Sequence, residues 1–246
     1  MKTSPAHTAH TAHTDWPVQL VLPGQVSAPE GPVDLQMMYL MHHAFRRDLA
    51  GFAAAALYTP ATDRTTWRLL AARWAVFAQA LHHHHSGEDA GLWPLLMERG
   101  GADDRETLEA MEAEHAQIDP LLRSCSEGLQ RLAGHADEAA RAALAVRLAA
   151  TRDALGRHLA HEETDAIAIV QRVLTQQDWL ALDEEHFTRR LTPRDVLRVV
   201  PWAAHGLPRQ DLERVFAEVG AGFKLVWLAT RRRFEVRDAR TFRYVP

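Results

Sequence analysis

From Pro32 onward the apolar positions of the chain recur in steps of three and four. Leu35, Met38, His42, Phe45, Leu49, Phe52 and Ala56 form one stripe that ends at Tyr58-Thr59-Pro60, with Asp34 placed to cap its start. Such spacing puts every member on one face of an α-helix. A turn to Asp63 opens a second stripe, Trp67, Leu70, Trp74, Phe77, Leu81, His84 and Glu88, which stops before Trp93-Pro94. Gly100-Gly101 breaks the chain, and Asp103 or Asp104 caps a third helix carrying Leu108, Met111, His115, Ile118, Leu122 and Leu129. Gly134 ends it. Asp137 caps a fourth, with Leu144, Leu148, Thr151, Leu155, His158, Glu162 and Ile169 on its inner face.

Four amphipathic helices joined by connections of a few residues imply antiparallel neighbours. No segment shows the alternation of a strand. The sequence therefore predicts an all-α protein, an antiparallel up-down-up-down four-helix bundle over residues 32–175. Residues 1–31 contain an Ala-His-Thr repeat (with His7, His10 and His13) and four prolines, and predict a disordered or extended tail. Residues 176–246 predict a helical appendage packing on the bundle. A short helix starts at Thr192-Pro193 and is interrupted at Pro201-Trp202. A second carries Leu212, Val215, Phe216 and Val219, and a third carries Leu225 and Leu228 ahead of Arg231-Arg232-Arg233.

Composition narrows the function. Hydrophobic residues make up 47% of the 246, charged residues 24%, and the net charge is −4 with His neutral. That balance is ordinary for a soluble globular protein and gives no electrostatic footprint for nucleic acid. No run is long and apolar enough for a membrane span, and no secretory leader is evident. Cys125 is the lone cysteine, so no intrachain disulfide forms. A cytoplasmic protein is the expectation.

The polar interruptions of the stripes carry the chemistry. His42 is followed 42 residues later by His84-x-x-x-Glu88, and His115 is followed 43 residues later by His158-x-x-x-Glu162. In each pair the His and Glu lie one above the other on a helix face. Burying Glu88 and Glu162 among apolar side chains is expensive unless a cation compensates. Four imidazoles and two carboxylates suit a pair of iron ions, with manganese the second choice. The stripes choose among neighbours: His42 continues its face while His43 is turned about 100° away. His84 continues its own face better than His82, His83 or His85, and Glu162 better than Glu163.

The ordered set resembles the hemerythrin-like (HHE cation-binding) domain, with the pattern H…HxxxE…H…HxxxE over about residues 35–170. It rests on His42-His43-Ala44-Phe45, on His84-His85-Ser86-Gly87-Glu88-Asp89 with Trp93-Pro94, on Glu114-His115, and on His158-Leu159-Ala160-His161-Glu162-Glu163. The resemblance implies two nonheme irons inside the bundle, bridged by Glu88, Glu162 and an oxo or hydroxo group, with His42, His84, His115 and His158 as terminal ligands. Oxygen-carrying members use five His, the extra one in an HxxxH pair on the third helix. Here Met111 and Asp119 stand four residues either side of His115. Whether His85, His161 or Asp119 adds a ligand stays open.

With four His shared evenly, each iron keeps one open position, and two adjacent open positions favour redox turnover over simple carriage. Three function classes result: binding or sensing of O2, NO or peroxide, oxidoreductase chemistry on peroxide or a small organic substrate, and iron handling. The partner is thus a small diatomic ligand, peroxide or a small organic molecule. Oligomeric state is not readable. Arg46-Arg47-Asp48 are candidates to hold the first helix by ion pairing behind the ligands, and Trp67, Trp74 and Phe77 are core residues or pocket walls.

Overall fold

The computed structural model describes residues 16–189 and 191–246. The described residues are helical with no strand. The long helices are α1 (Gln36–Tyr58), α2 (Arg64–Gly87), α4 (Arg105–Gly134) and α5 (Glu138–His161). Every stripe residue named above is buried, so the apolar periodicity and the inner faces coincide. Helix α1 packs on α5, α2 on α4, and α4 on α5. Asp63 and Asp137 cap α2 and α5 by accepting from the Thr66 and Ala140 amides.

The second stripe does not stop before Trp93. Residues 88–92 form a π-helical turn that feeds directly into α3 (Trp93–Arg99). Pro94 sits in the first turn of α3, where its missing N–H is tolerated. A matching π turn over residues 162–166 joins α5 to α6 (Ile167–Val173). Both π turns begin at the Glu of a His-x-x-x-Glu pair. Each inserts extra chain into the helix and shifts the register of the next helical segment.

Beyond α6 come α7 (Gln176–Leu182), a π turn over residues 183–188, α8 (Pro193–Ala203), α9 (Arg209–Val219) and α10 (Ala221–Thr241). Helix α8 runs through Pro201 rather than breaking there, and α10 runs through the Arg231–Arg233 cluster. Leu225 and Leu228 are exposed, so the inner side of α10 is not the one their spacing marks. The Ala-His-Thr repeat lies outside the described residues. Residues 16–31 carry no helix, and they bury Gln19, Leu20 and Leu22.

One buried carboxylate docks the C-terminal helices. Asp48 on α1 accepts from Arg73 of α2 (2.6 and 3.0 Å) and from the Trp202 indole of α8 (2.8 Å). Arg47 pairs with Asp48 at 2.9 Å and donates to the carbonyls of Trp202 and His205, while Arg73 reaches Asp238 of α10 at 3.3 Å. Burial alone would raise the Asp48 pKa, but the Arg47 and Arg73 charges hold it below the ordinary value of 3.8. Because the folded pKa is depressed, this contribution is complete above the ordinary value and fades only in stronger acid. We expect Asp48→Asn to cost about 3–5 kcal/mol at neutral pH, since it leaves two guanidinium groups without their buried counter-ion. Urea unfolding checks this, and a loss under about 1 kcal/mol would remove Asp48 from that role.

Candidate metal centre

The six predicted ligands converge, and the structure divides them. His42 (α1), His84 (α2), Glu88 and Glu162 each offer one ligand atom, all within 4.8 Å of one another. A second group within the same limit is His85, His115 and His158. All seven residues are buried. His85, which the sequence left open as an added ligand, is among them. It stacks on His115 with ring centroids 3.8 Å apart, and both its ring nitrogens are buried without a hydrogen-bond partner. His84 and His85 are adjacent and so point about 100° apart. One meets His42 of α1 and the other meets His115 of α4.

The carboxylates span the two groups. Glu88 places Oε1 3.0 Å from His84 Nε2 and Oε2 3.6 Å from His115 Nε2. Glu162 places Oε2 3.2 Å from His42 Nε2 and 3.9 Å from His158 Nε2. These are charge contacts, and none of the four carboxylate oxygens gains a properly directed hydrogen bond. Each Glu stands at the start of its π turn, buried completely.

Outer acids turn the imidazoles inward. His42 Nδ1 bonds Glu163 (2.9 Å), His115 Nδ1 bonds Asp89 (2.7 Å) and His158 Nδ1 bonds Glu114 (2.8 Å). An ionised carboxylate only accepts, so each Nδ1 donates its proton outward and each Nε2 faces inward. Arg46 clamps Glu163 from outside at 2.6 and 2.9 Å, and the Val26 amide donates to it as well. Arg46 therefore serves the site, while Arg47 and Asp48 dock the C-terminal helices.

This arrangement asks for a cation. His42 Nε2 lies 3.2 Å from His84 Nε2, and His115 Nε2 lies 3.1 Å from His158 Nε2. Paired lone pairs at that distance repel unless a proton or a metal sits between them. Protein groups alone meet the conflict by protonation. Burial would lower the His42 pKa, but Glu162 and Glu163 hold it at about 9. Burial and the His42 charge drive His84 down to about 3. Burial and repulsion from Glu162 push Glu88 well up, while Glu162 is held down despite burial by the His42 charge. The two carboxylates are thus driven apart, Glu88 toward its neutral form and Glu162 toward its charged form. Metal ions would let both ionise, and the donor set of imidazole and carboxylate fits a borderline transition metal.

The other predicted candidates lie outside. Asp119 is exposed, and His161 bonds Glu114 at 2.9 Å from the outer side. His43 bonds the Pro23 carbonyl, and His82 is exposed. Trp67, Trp74 and Phe77 are fully buried core. Cys125 is buried against Thr151 at 3.3 Å, where burial raises its thiol pKa. A surface cleft of about 600 Å³ between α8, α9 and α10 includes none of the clustered residues.

An all-helical fold enclosing two imidazole groups and two spanning carboxylates defines a cation-binding protein. The family model of the hemerythrin HHE cation binding domain matches residues 33–170, and the chain belongs to that family. Curated proteins and solved structures each gave no match.

The acid behind His42 supplies a test. Glu163→Gln should weaken metal retention about 10–100-fold without removing a ligand, because Nδ1 loses its charged acceptor. Competition against a chelator reads this, and unchanged retention would count Glu163 as packing only.

Proposed function

We propose that the chain is a nonheme di-iron protein that binds a small diatomic ligand, O2 or NO, at one end of a carboxylate-bridged pair inside an antiparallel up-down-up-down four-helix bundle. His42 and His84 would hold one iron and His85, His115 and His158 the other, with Glu88 and Glu162 shared between them. Manganese is the alternative metal. The observation that carries this reading is the uneven division of imidazoles, two against three.

The division revises the count made from four His. His42 and His84 would give one metal fewer protein ligands than His85, His115 and His158 would give the other. That would leave an open position at the His42–His84 end, which suits a diatomic molecule better than paired redox turnover. Iron there would supply a redox couple and a place for the ligand. The protein's own groups do the rest. Glu163, Asp89 and Glu114 hold the imidazole protons on Nδ1, and Phe45 and Trp202, both fully buried, exclude water beside His84. Burial of all the donors supports a small ligand over a bulky organic substrate.

The test is an optical titration of iron-loaded, anaerobically reduced protein with one equivalent of O2, followed by deoxygenation. A band that appears and reverses is expected. Irreversible oxidation would favour the oxidoreductase reading instead. Two substitutions sharpen it. His84→Ala or Glu162→Ala should lose most of the iron and lower stability, since metal binding couples to folding. His85→Ala should keep most of the iron yet convert reversible binding into irreversible oxidation, because it opens a second position. Reversible binding in that variant would exclude His85 from the ligand set.

A further inference from the structure

Entry to the proposed open position requires something to move. His42, Glu88 and Glu162 are 0% exposed and His84 is 4% exposed. Phe45 and Phe187 stand beside the His84 ring at centroid distances of 5.3 and 6.2 Å, and Trp202 stands behind Phe45 at 5.6 Å. Phe45 and Trp202 are fully buried, whereas Phe187 is half-buried. It meets solvent on one side and His84 on the other. At the opposite end, His115 is covered by Trp93, which is itself buried. On the His84 side the half-buried member of the wall is therefore Phe187, whereas Asp89 and Glu114 reach solvent beside His115 and His158 at the opposite end.

Phe187 belongs to the π turn over residues 183–188, beyond the residues 33–170 matched by the family model. Two helix-face glycines seat that turn. A Cβ on Gly87 would come within 2.6 Å of the Phe187 ring, and one on Gly91 within 2.5 Å of the His186 ring. Spaced four apart, the two glycines open one face of the helix to the turn. The Phe187 carbonyl accepts from His83 Nε2 at 2.5 Å, and Trp179 lies beside the ring at 6.2 Å. No side chain of the turn is fully buried, so little apolar area holds it down and local opening is inexpensive.

We propose that Phe187 is the gate of the site and sets the size of ligand that reaches the His42–His84 end. Closed, it passes diatomic molecules through packing fluctuations and excludes larger ones. This inference rests on the metal reading above for its biological meaning, but its geometry is tested without metal. The metal-free full-length protein is treated with diethyl pyrocarbonate, a bulky imidazole acylating reagent, and labelling of His84 and His158 is followed by peptide mass spectrometry. Phe187→Ala removes the gate. Gly87→Ala keeps the Phe187 side chain but displaces its ring, giving a second, independent route to the same opening. Both variants should label His84 at least about tenfold faster than the parent, with His158 unchanged. Equal His84 rates in parent and variants would overturn the gate. Equal acceleration at both histidines would also overturn it, since that marks general loosening. Iron content of the loaded parent is measured in parallel: failure to hold iron removes the metal reading, whereas the labelling ratio decides the gate.

Discussion

The structure depends on two carboxylates held in a place where carboxylates are costly. Glu88 and Glu162 are wholly buried, face four imidazole nitrogens between them, and have no directed hydrogen bond to either oxygen of either group. Without a cation, burial and repulsion from Glu162 push the Glu88 pKa well up, while the His42 charge holds that of Glu162 down despite burial. With cations, both ionise and every inward lone pair has a partner. The surrounding chemistry is arranged for the second state: three imidazoles have their Nδ1 protons fixed by acids, and Arg46 neutralises the deepest of those acids, Glu163. Protein groups that fold most comfortably around a metal make metal binding and stability one quantity.

The π turns let the helices meet that demand. An α-helix presents one residue per turn to a given line, so a single stripe delivers His84 and Glu88 but turns His85 away. The turn at residues 88–92 inserts extra chain immediately after Glu88, and both His84 and His85 are buried one turn before it. The adjacent histidines, about 100° apart on the α-helix, face different neighbours, His84 toward His42 of α1 and His85 toward His115 of α4. The same device follows Glu162, where Glu162 faces inward and its neighbour Glu163 grips His42.

The same geometry explains which parts were legible in the sequence. The stripes of all four long helices were readable because apolar burial follows a fixed period, and each of their members is buried. The burial of the six His and Glu interruptions was readable for the same reason. His85 was left open, because the stripe assigns one inward residue per turn whereas α2 also packs on α4 through a second face that buries His85 against His115. Its signal was present in its spacing, three residues before Glu88 and thus close to the Glu88 face. Glu114, Asp89 and Glu163 were invisible as imidazole partners because their contacts join residues 26 to 121 apart. The passage of α8 through Pro201 and the docking of Trp202 on Asp48 depend on tertiary contacts that override the local preference for a break.

The C-terminal helices extend the centre rather than merely trailing it. Trp202 both caps the buried Asp48 and lies against Phe45, which touches His84. Residues beyond the family domain thus complete the wall around one end of the site. Anomalous X-ray scattering at the iron edge, from crystals of the iron-loaded protein, tests most directly whether two metal ions sit there with unequal numbers of imidazoles, as proposed. Two peaks are predicted, one coordinated by His42 and His84 and one by His85, His115 and His158, with Glu88 and Glu162 between. A single peak, or a second peak that leaves His85 uncoordinated, would contradict it.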